Sequence, residues 1–220
     1  MLRNLIIIST FLMTVSAFGL GIFTIVKSPK SKVNVTWFFT SLAVTIWGIG
    51  YLLAMSTRVD SVAFWDLRIV YIGASAVPVL FFHFVASFLF KDIKYKLLII
   101  LGYILGVGFL FLNTTTELVI KGVRYLENFG RYEEITTIGF KIFLAYFLFF
   151  AAMGIYLLFK GYRENGGIRR QQIVYIILAS LCGFVGGSSN FVTDLTGIYP
   201  YGQMIVWLYP ALITYGIFLR

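Results

Sequence analysis

Seven mainly apolar stretches, each near the length that crosses a hydrocarbon layer, decide what this chain folds into. They cover residues 5–26, 33–55, 67–90, 95–112, 138–159, 171–192 and 202–219. A spanning helix needs about 20 apolar residues at about 1.5 Å rise each. No water reaches the backbone inside lipid, so a span must close its own hydrogen bonds. The runs are continuous and lack the period-2 alternation of barrel strands, which points to helices. With 60% hydrophobic and 12% charged residues in 220, a soluble fold could not cover its apolar surface. The expectation is an all-α polytopic membrane protein, a single seven-helix bundle over residues 1–220. The fourth run is short, with Lys94 and Lys96 snorkelling to the surface. The first resembles a signal peptide, with Val15-Ser16-Ala17 as its cleavage site. It continues to Val26 and ends at Lys27, so it reads as an uncleaved helix.

Charge sorts the loops. One alternate set holds Lys27, Lys30, Lys32, Lys91, Lys94, Lys96, Lys160, Arg163, Arg169, Arg170 and Arg220 against two acids, Asp92 and Glu164. The other balances seven bases against seven acids, so the whole net charge of +9 falls on one side. The positive-inside rule places the basic side in the cytoplasm, giving an N-out, C-in topology with seven spans. Charge that flanks hydrocarbon-length spans reads as contact with anionic lipid, not with nucleic acid.

The segment 113–137 is long and polar. Val119-x-Lys121-x-Val123-x-Tyr125, then Asn128-Phe129-Gly130 and residues 131–135, predict a small extracellular β-hairpin between the fourth and fifth helices. It reads as either an ordered cap over helix ends or a signal-binding element. Ala179-x-x-x-Gly183-x-x-x-Gly187 and Gly102-x-x-x-Gly106 mark faces where helices approach closely within the chain.

No catalytic constellation is present: there is no HExxH and no phosphate-binding glycine loop. One histidine, His83, and one cysteine, Cys182, hold no multi-ligand metal site, and no cofactor is expected. Rhodopsin-type chemistry needs a lysine in the last span, and no lysine follows Lys160. What remains is a stratum of polar groups at the outer ends of the spans. Asp66, Arg68 and Tyr71 belong to the third, Lys141 to the fifth, Asn190 and Asp194 to the sixth, and Gln203 to the seventh. Ionisable groups in a membrane are functional candidates by default. The stratum reads as an outward-opening pocket or as a salt-bridged collar, with Arg68 and Lys141 paired to Asp66 or Asp194. Pro78 and Pro210 are candidate kinks or hinges. His83 is either a proton-sensitive switch or a neutral ring bonded to a neighbouring helix.

Several stretches together carry a resemblance: Trp47-Gly48-x-Gly50-Tyr51, Arg68-x-x-Tyr71-Ile72-Gly73, Pro78, Phe81-Phe82-His83-Phe84, Arg169-Arg170-Gln171-Gln172, Tyr199-Pro200-Tyr201-Gly202 and Tyr209-Pro210. Over nearly its whole length the chain resembles the seven-transmembrane N-terminal sensor region of bacterial histidine kinases. The resemblance implies a multi-pass protein of the bacterial cell membrane. It would detect an extracellular or membrane-borne signal and pass it through the seventh helix to a cytoplasmic kinase module, with a homodimer as the working unit. It also implies that this chain is a sensor domain cut at Arg220 from a longer parent. The alternatives are a small-molecule transporter and a stand-alone membrane receptor or interaction protein. A transporter would need polar or broken helices near the bilayer midplane.

Overall fold

The structure is a computed structural model that describes residues 2–127, 129–190 and 200–219. Helices α1 (Leu2–Lys27), α2 (Lys32–Ser56), α3 (Asp60–Phe88) and α4 (Lys96–Thr115) precede a hairpin, β1 (Ile120–Leu126) and β2 (Arg131–Thr136). Then come α5 (Ile138–Glu164) and α6 (Gly167–Ser180). The sixth helix passes through a π turn, Leu181–Val185, and stays helical to Asn190. A 3-10 turn, Tyr201–Ile205, leads into α7 (Leu208–Phe218). Among the described residues six helices are long and apolar enough to cross a membrane, and α7 is a further short apolar helix.

The seventh run is therefore two pieces where one continuous helix is predicted over 202–219. Pro200 and Pro210 bracket the break. Pro210 is the third residue of α7, so its missing N–H falls in the first turn, where no intrahelical bond is due. A 3-10 turn rises about 2 Å per residue and an α-helix about 1.5 Å. Together the pieces still reach roughly the 30 Å of a hydrocarbon core. Pro78, by contrast, lies inside an unbroken α3. It leaves the carbonyl of Ala74 without its usual donor. At the neighbouring carbonyl, Ser75 O, the phenol of Tyr146 donates across from α5 at 2.8 Å.

Helix ends follow from local chemistry. Ser31 caps α2 and Thr137 caps α5, each accepting a backbone N–H on its side-chain oxygen. Asp60 begins α3 seven residues ahead of the apolar run, where a carboxylate meets the positive end of the helix. The hairpin turns on Gly130, whose φ is +63°. Gly130 N donates to Leu126 O at 2.8 Å.

The helices form a ring in which α2 lies along both α1 and α3, α3 against α4 and α5, α5 against α6, and α7 between α6 and α1. Glycines set the closest approaches. A Cβ on Gly73 would lie 2.5 Å from Ala43 O and Trp47 N, and one on Gly50 would lie 2.6 Å from Val70 N. The α2 and α3 backbones therefore touch at two heights. Gly48 likewise sits against Thr14 of α1. Gly102 packs on Val79 and Phe150, and Gly106 on Tyr146 and Ser75. On the sixth helix the expected stripe meets neighbours only in part. Gly183 meets the Tyr209 ring and Gly186 meets Gly202, whereas a Cβ on Gly187 would touch nothing. Gly187 instead borders an internal cavity, which Ala179 and Gly183 line as well.

Candidate functional site

At the hairpin end, α4 stops with its last carbonyls unpaired, as any helix does, and these carry the negative end of the helix dipole. Arg68 of α3 takes them. Its Nη1 donates to Thr114 O at 2.9 Å and its Nη2 to Thr116 O at 2.7 Å. Asn113 Nδ2 donates back to Arg68 O at 3.0 Å. The guanidinium lies 4.5 Å from the ring centre of Phe64 and 5.1 Å from that of Trp65. Arg68 is thus a buried clamp on a helix end, and its partners are carbonyls where a carboxylate was expected. Asp66 is buried on the same helix, with its backbone carbonyl against Gly50. Lys141 is exposed on α5. Asp194 lies outside the described residues.

Asn190 and Gln203 lie on one hydrogen-bond chain. Arg131 of β2 donates from Nη1 to Tyr51 Oη at 2.6 Å. Tyr51, on α2, donates to Asn190 Oδ1 at 2.9 Å. Asn190 Nδ2, at the end of the sixth helix, donates to Gln203 Oε1 at 3.1 Å. Gln203 Nε2 reaches Thr10 Oγ1 of α1 at 3.2 Å, and Ser9 Oγ donates to Gln203 O at 2.7 Å. Gln203 is fully buried, and a buried amide needs such partners. The hairpin makes two more attachments. Tyr71 Oη donates to Glu134 Oε1, and Tyr132 Oη to Asp60 Oδ1, both at 2.6 Å. The Asp60 carboxylate holds the Tyr132 phenol above its ordinary pKa, because ionising the phenol would remove that bond and set two negative charges together.

Two cavities lie on this axis. The upper, about 30 Å³, is lined by Tyr51, Tyr71, Arg131, Glu134 and Asn190 under the hairpin. The lower, about 70 Å³, is lined mainly by apolar groups, including Trp37, Val44, Phe81, Phe147 and Tyr209. Trp47, Ala74 and Gly187 line both. Asp66, Arg68 and Lys141 line neither. The Tyr209 hydroxyl is buried without a hydrogen-bond partner among the described residues, a condition that costs about 1–3 kcal/mol.

The basic end has its own clamp. Arg169 of α6 donates to Phe88 O at the end of α3 and stacks 3.8 Å over the Phe88 ring. Its other arm donates to Gln172 Oε1 at 2.8 Å, and Gln172 Nε2 donates to Leu219 O at 2.9 Å. The Arg169–Gln172 stretch therefore ties together the ends of α3, α6 and α7. Nearby, His83 Nδ1 lies 2.9 Å from Tyr103 Oη of α4, so the ring is bonded to a neighbouring helix.

Sequence reasoning placed Tyr71, Asn190 and Gln203 in the outer site, and these the structure brings together. It missed Tyr51, Arg131, Glu134 and Thr10 as their partners. Tyr51 stood in the Trp47–Tyr51 stretch, and Arg131 and Glu134 in the hairpin, but no local pattern says what a loop charge will face. No curated protein matches the chain. The family model described as the N-terminal 7TM region of histidine kinase matches residues 9–219, and the chain belongs to that family.

Proposed function

We propose that this chain is the signal-input region of a two-component kinase of the bacterial cell membrane. Its N-terminus faces outside and its C-terminus the cytoplasm. The signal acts at the hairpin end, and the seventh span carries the response inward to a kinase module. The observation that supports this reading is the chain Arg131–Tyr51–Asn190–Gln203–Thr10. It joins the hairpin to the segment that leads into α7, and α7 is held at its far end through Gln172. A signal shifts such a bundle only by binding two arrangements with different affinity. The break between the 3-10 turn and α7 is the natural flexing point, in place of a kink at Pro210. The kinase works as a homodimer, and the bundle contacts anionic lipid at its basic end.

The test uses an intact histidine kinase that carries this region. Asn190→Ala and Gln203→Ala each break the chain, and autophosphorylation and melting temperature are measured on the same purified variants. The expected result is a changed basal or signal-dependent rate with near-normal membrane insertion. Loss of activity that merely tracks loss of stability, or an unaltered rate in both variants, overturns the reading.

A further inference from the structure

We propose that the lower cavity binds a small, neutral, mostly apolar molecule through an acceptor oxygen that takes the Tyr209 hydroxyl. This rests on the sensor reading for its consequence, but its binding half stands on the cavity alone. Among the described residues no Asp, Glu, Lys, Arg or His lines the lower cavity, so a charged occupant would lie unpaired in an apolar room. Three of the other lining donors are already spent within the bundle. Thr40 Oγ1 donates to Thr36 O at 2.8 Å and Ser180 Oγ to Ile176 O at 2.6 Å. Trp37 Nε1 donates to Thr214 Oγ1 at 3.3 Å. Only Tyr209, among the buried lining groups, keeps a hydroxyl with no partner. An unpartnered donor buried at an apolar cavity favours a carbonyl or ether oxygen over a hydrocarbon of the same shape.

Size narrows the class further. An apolar cavity of about 150 Å³ holds benzene. At about 70 Å³, with about 30 Å³ adjoining it above, this one takes a molecule or chain end of about benzene's size or smaller. Position gives the binding a consequence. Tyr209 is the second residue of α7, and its ring packs on Trp37 at 6.2 Å and against Gly183 in the π turn. An occupant bonded to Tyr209 therefore acts on the start of the last helix, directly below the Asn190–Gln203 contact.

The probe is cyclopentanone, compared with methylenecyclopentane, in which a =CH2 group replaces the oxygen. Binding to the purified chain is followed by the fluorescence of Trp37 and Trp47, both of which line the cavity. The wild type should bind the ketone saturably and more tightly than the hydrocarbon. Tyr209→Phe keeps the ring and removes the hydroxyl. It should weaken ketone binding about fivefold or more, the loss of one neutral hydrogen bond, and leave hydrocarbon binding unchanged. Ala179→Leu, which fills the cavity from α6, should weaken both. A free solute and the carbonyl of a membrane lipid share this chemistry. Native mass spectrometry of protein taken from membranes separates them, and either adduct should be displaced by cyclopentanone. Equal ketone affinity in wild type and Tyr209→Phe, as a resident water on the hydroxyl would give, overturns the proposal; so does absence of saturable binding. If the ketone binds as expected but leaves autophosphorylation of the intact kinase unmoved, the site stands and the sensor reading of it fails.

Discussion

Arg68 shows how one side chain is fixed by backbone need. Its guanidinium closes the end of α4 through Thr114 O and Thr116 O and rests on two aromatic rings. Arg68→Ala leaves those carbonyls open and should cost about 2–4 kcal/mol, since each bond has a charged donor. Arg68→Lys should recover only part, because an ammonium lacks the two-pronged geometry. Thermal melts in detergent check both, with the exposed Lys141→Ala expected to stay near wild type. The partner of Arg68 was not legible in the sequence. A carboxylate two residues away suggests an ion pair, whereas terminal carbonyls belong to every helix and leave no trace in side-chain identity. At the basic end the sign of a pH effect can be worked out. Lys32 donates to Asp92 at 2.8 Å and holds its carboxyl below the ordinary range. The pair therefore stabilises the fold above the ordinary aspartate pKa, and that contribution is lost as pH falls through the lower, folded value. Asp92→Asn should lower the melting temperature slightly at pH 6 and converge with wild type in acid; parallel curves at every pH would refute the linkage. The effect is small because Lys32 is largely exposed.

Between elements, glycine position decides how near two helices come. A Cβ at Gly73 or Gly50 would strike backbone atoms of the facing helix at 2.5 to 2.6 Å, which no rotamer change relieves. Gly19 and Gly108 face open space. Gly73→Ala and Gly50→Ala should each destabilise by about 1–3 kcal/mol or more through forced separation of α2 and α3. Gly19→Ala and Gly108→Ala should be neutral or stabilise by up to about 1 kcal/mol from helix propensity alone. If all four behave alike, the close approach is not what those glycines supply. Gly183→Leu belongs with the first pair, since its Cβ would already stand 3.3 Å from the Tyr209 ring, and a longer side chain there should cost about 1–3 kcal/mol. The spacing Ala179-x-x-x-Gly183-x-x-x-Gly187 announced a contact face, and Ala179 and Gly183 do meet neighbours. Gly187 does not, because it borders the internal cavity that Ala179 and Gly183 also line, and a void between helices leaves no mark in the sequence.

At the scale of the whole molecule, hydropathy carries the architecture because lipid leaves the backbone so few options. The long helices and the hairpin between α4 and α5 follow from residue type alone. The seventh span was legible as an apolar run but not as a 3-10 turn plus a short helix, since continuity of apolar residues does not report pitch. The polar chain was half legible. Its links join residues 139 and 193 positions apart, which only the closed ring of helices brings together. The proposed orientation rests on where charge collects on that ring. The bases of the 27–32, 91–96 and 160–170 connections stand at one end, and lysines there already pair with Asp92 and Glu164 at 2.8 Å and 2.5 Å. The surplus at that end is therefore positive, whereas the hairpin end pairs Arg124 with Glu133 and Tyr132 with Asp60. A cytoplasmic leaflet rich in anionic lipid favours the surplus, and a segment bearing it resists translocation. In a Cys182→Ser background, single cysteines at Ser31 and Asn165 should resist a membrane-impermeant maleimide added to intact cells and react once the cells are opened. A cysteine at Glu127, in the exposed hairpin turn, should react from outside. Labelling of Asn165 from outside would invert the bundle. It would also place the hairpin chamber in the cytoplasm, where no external signal reaches it.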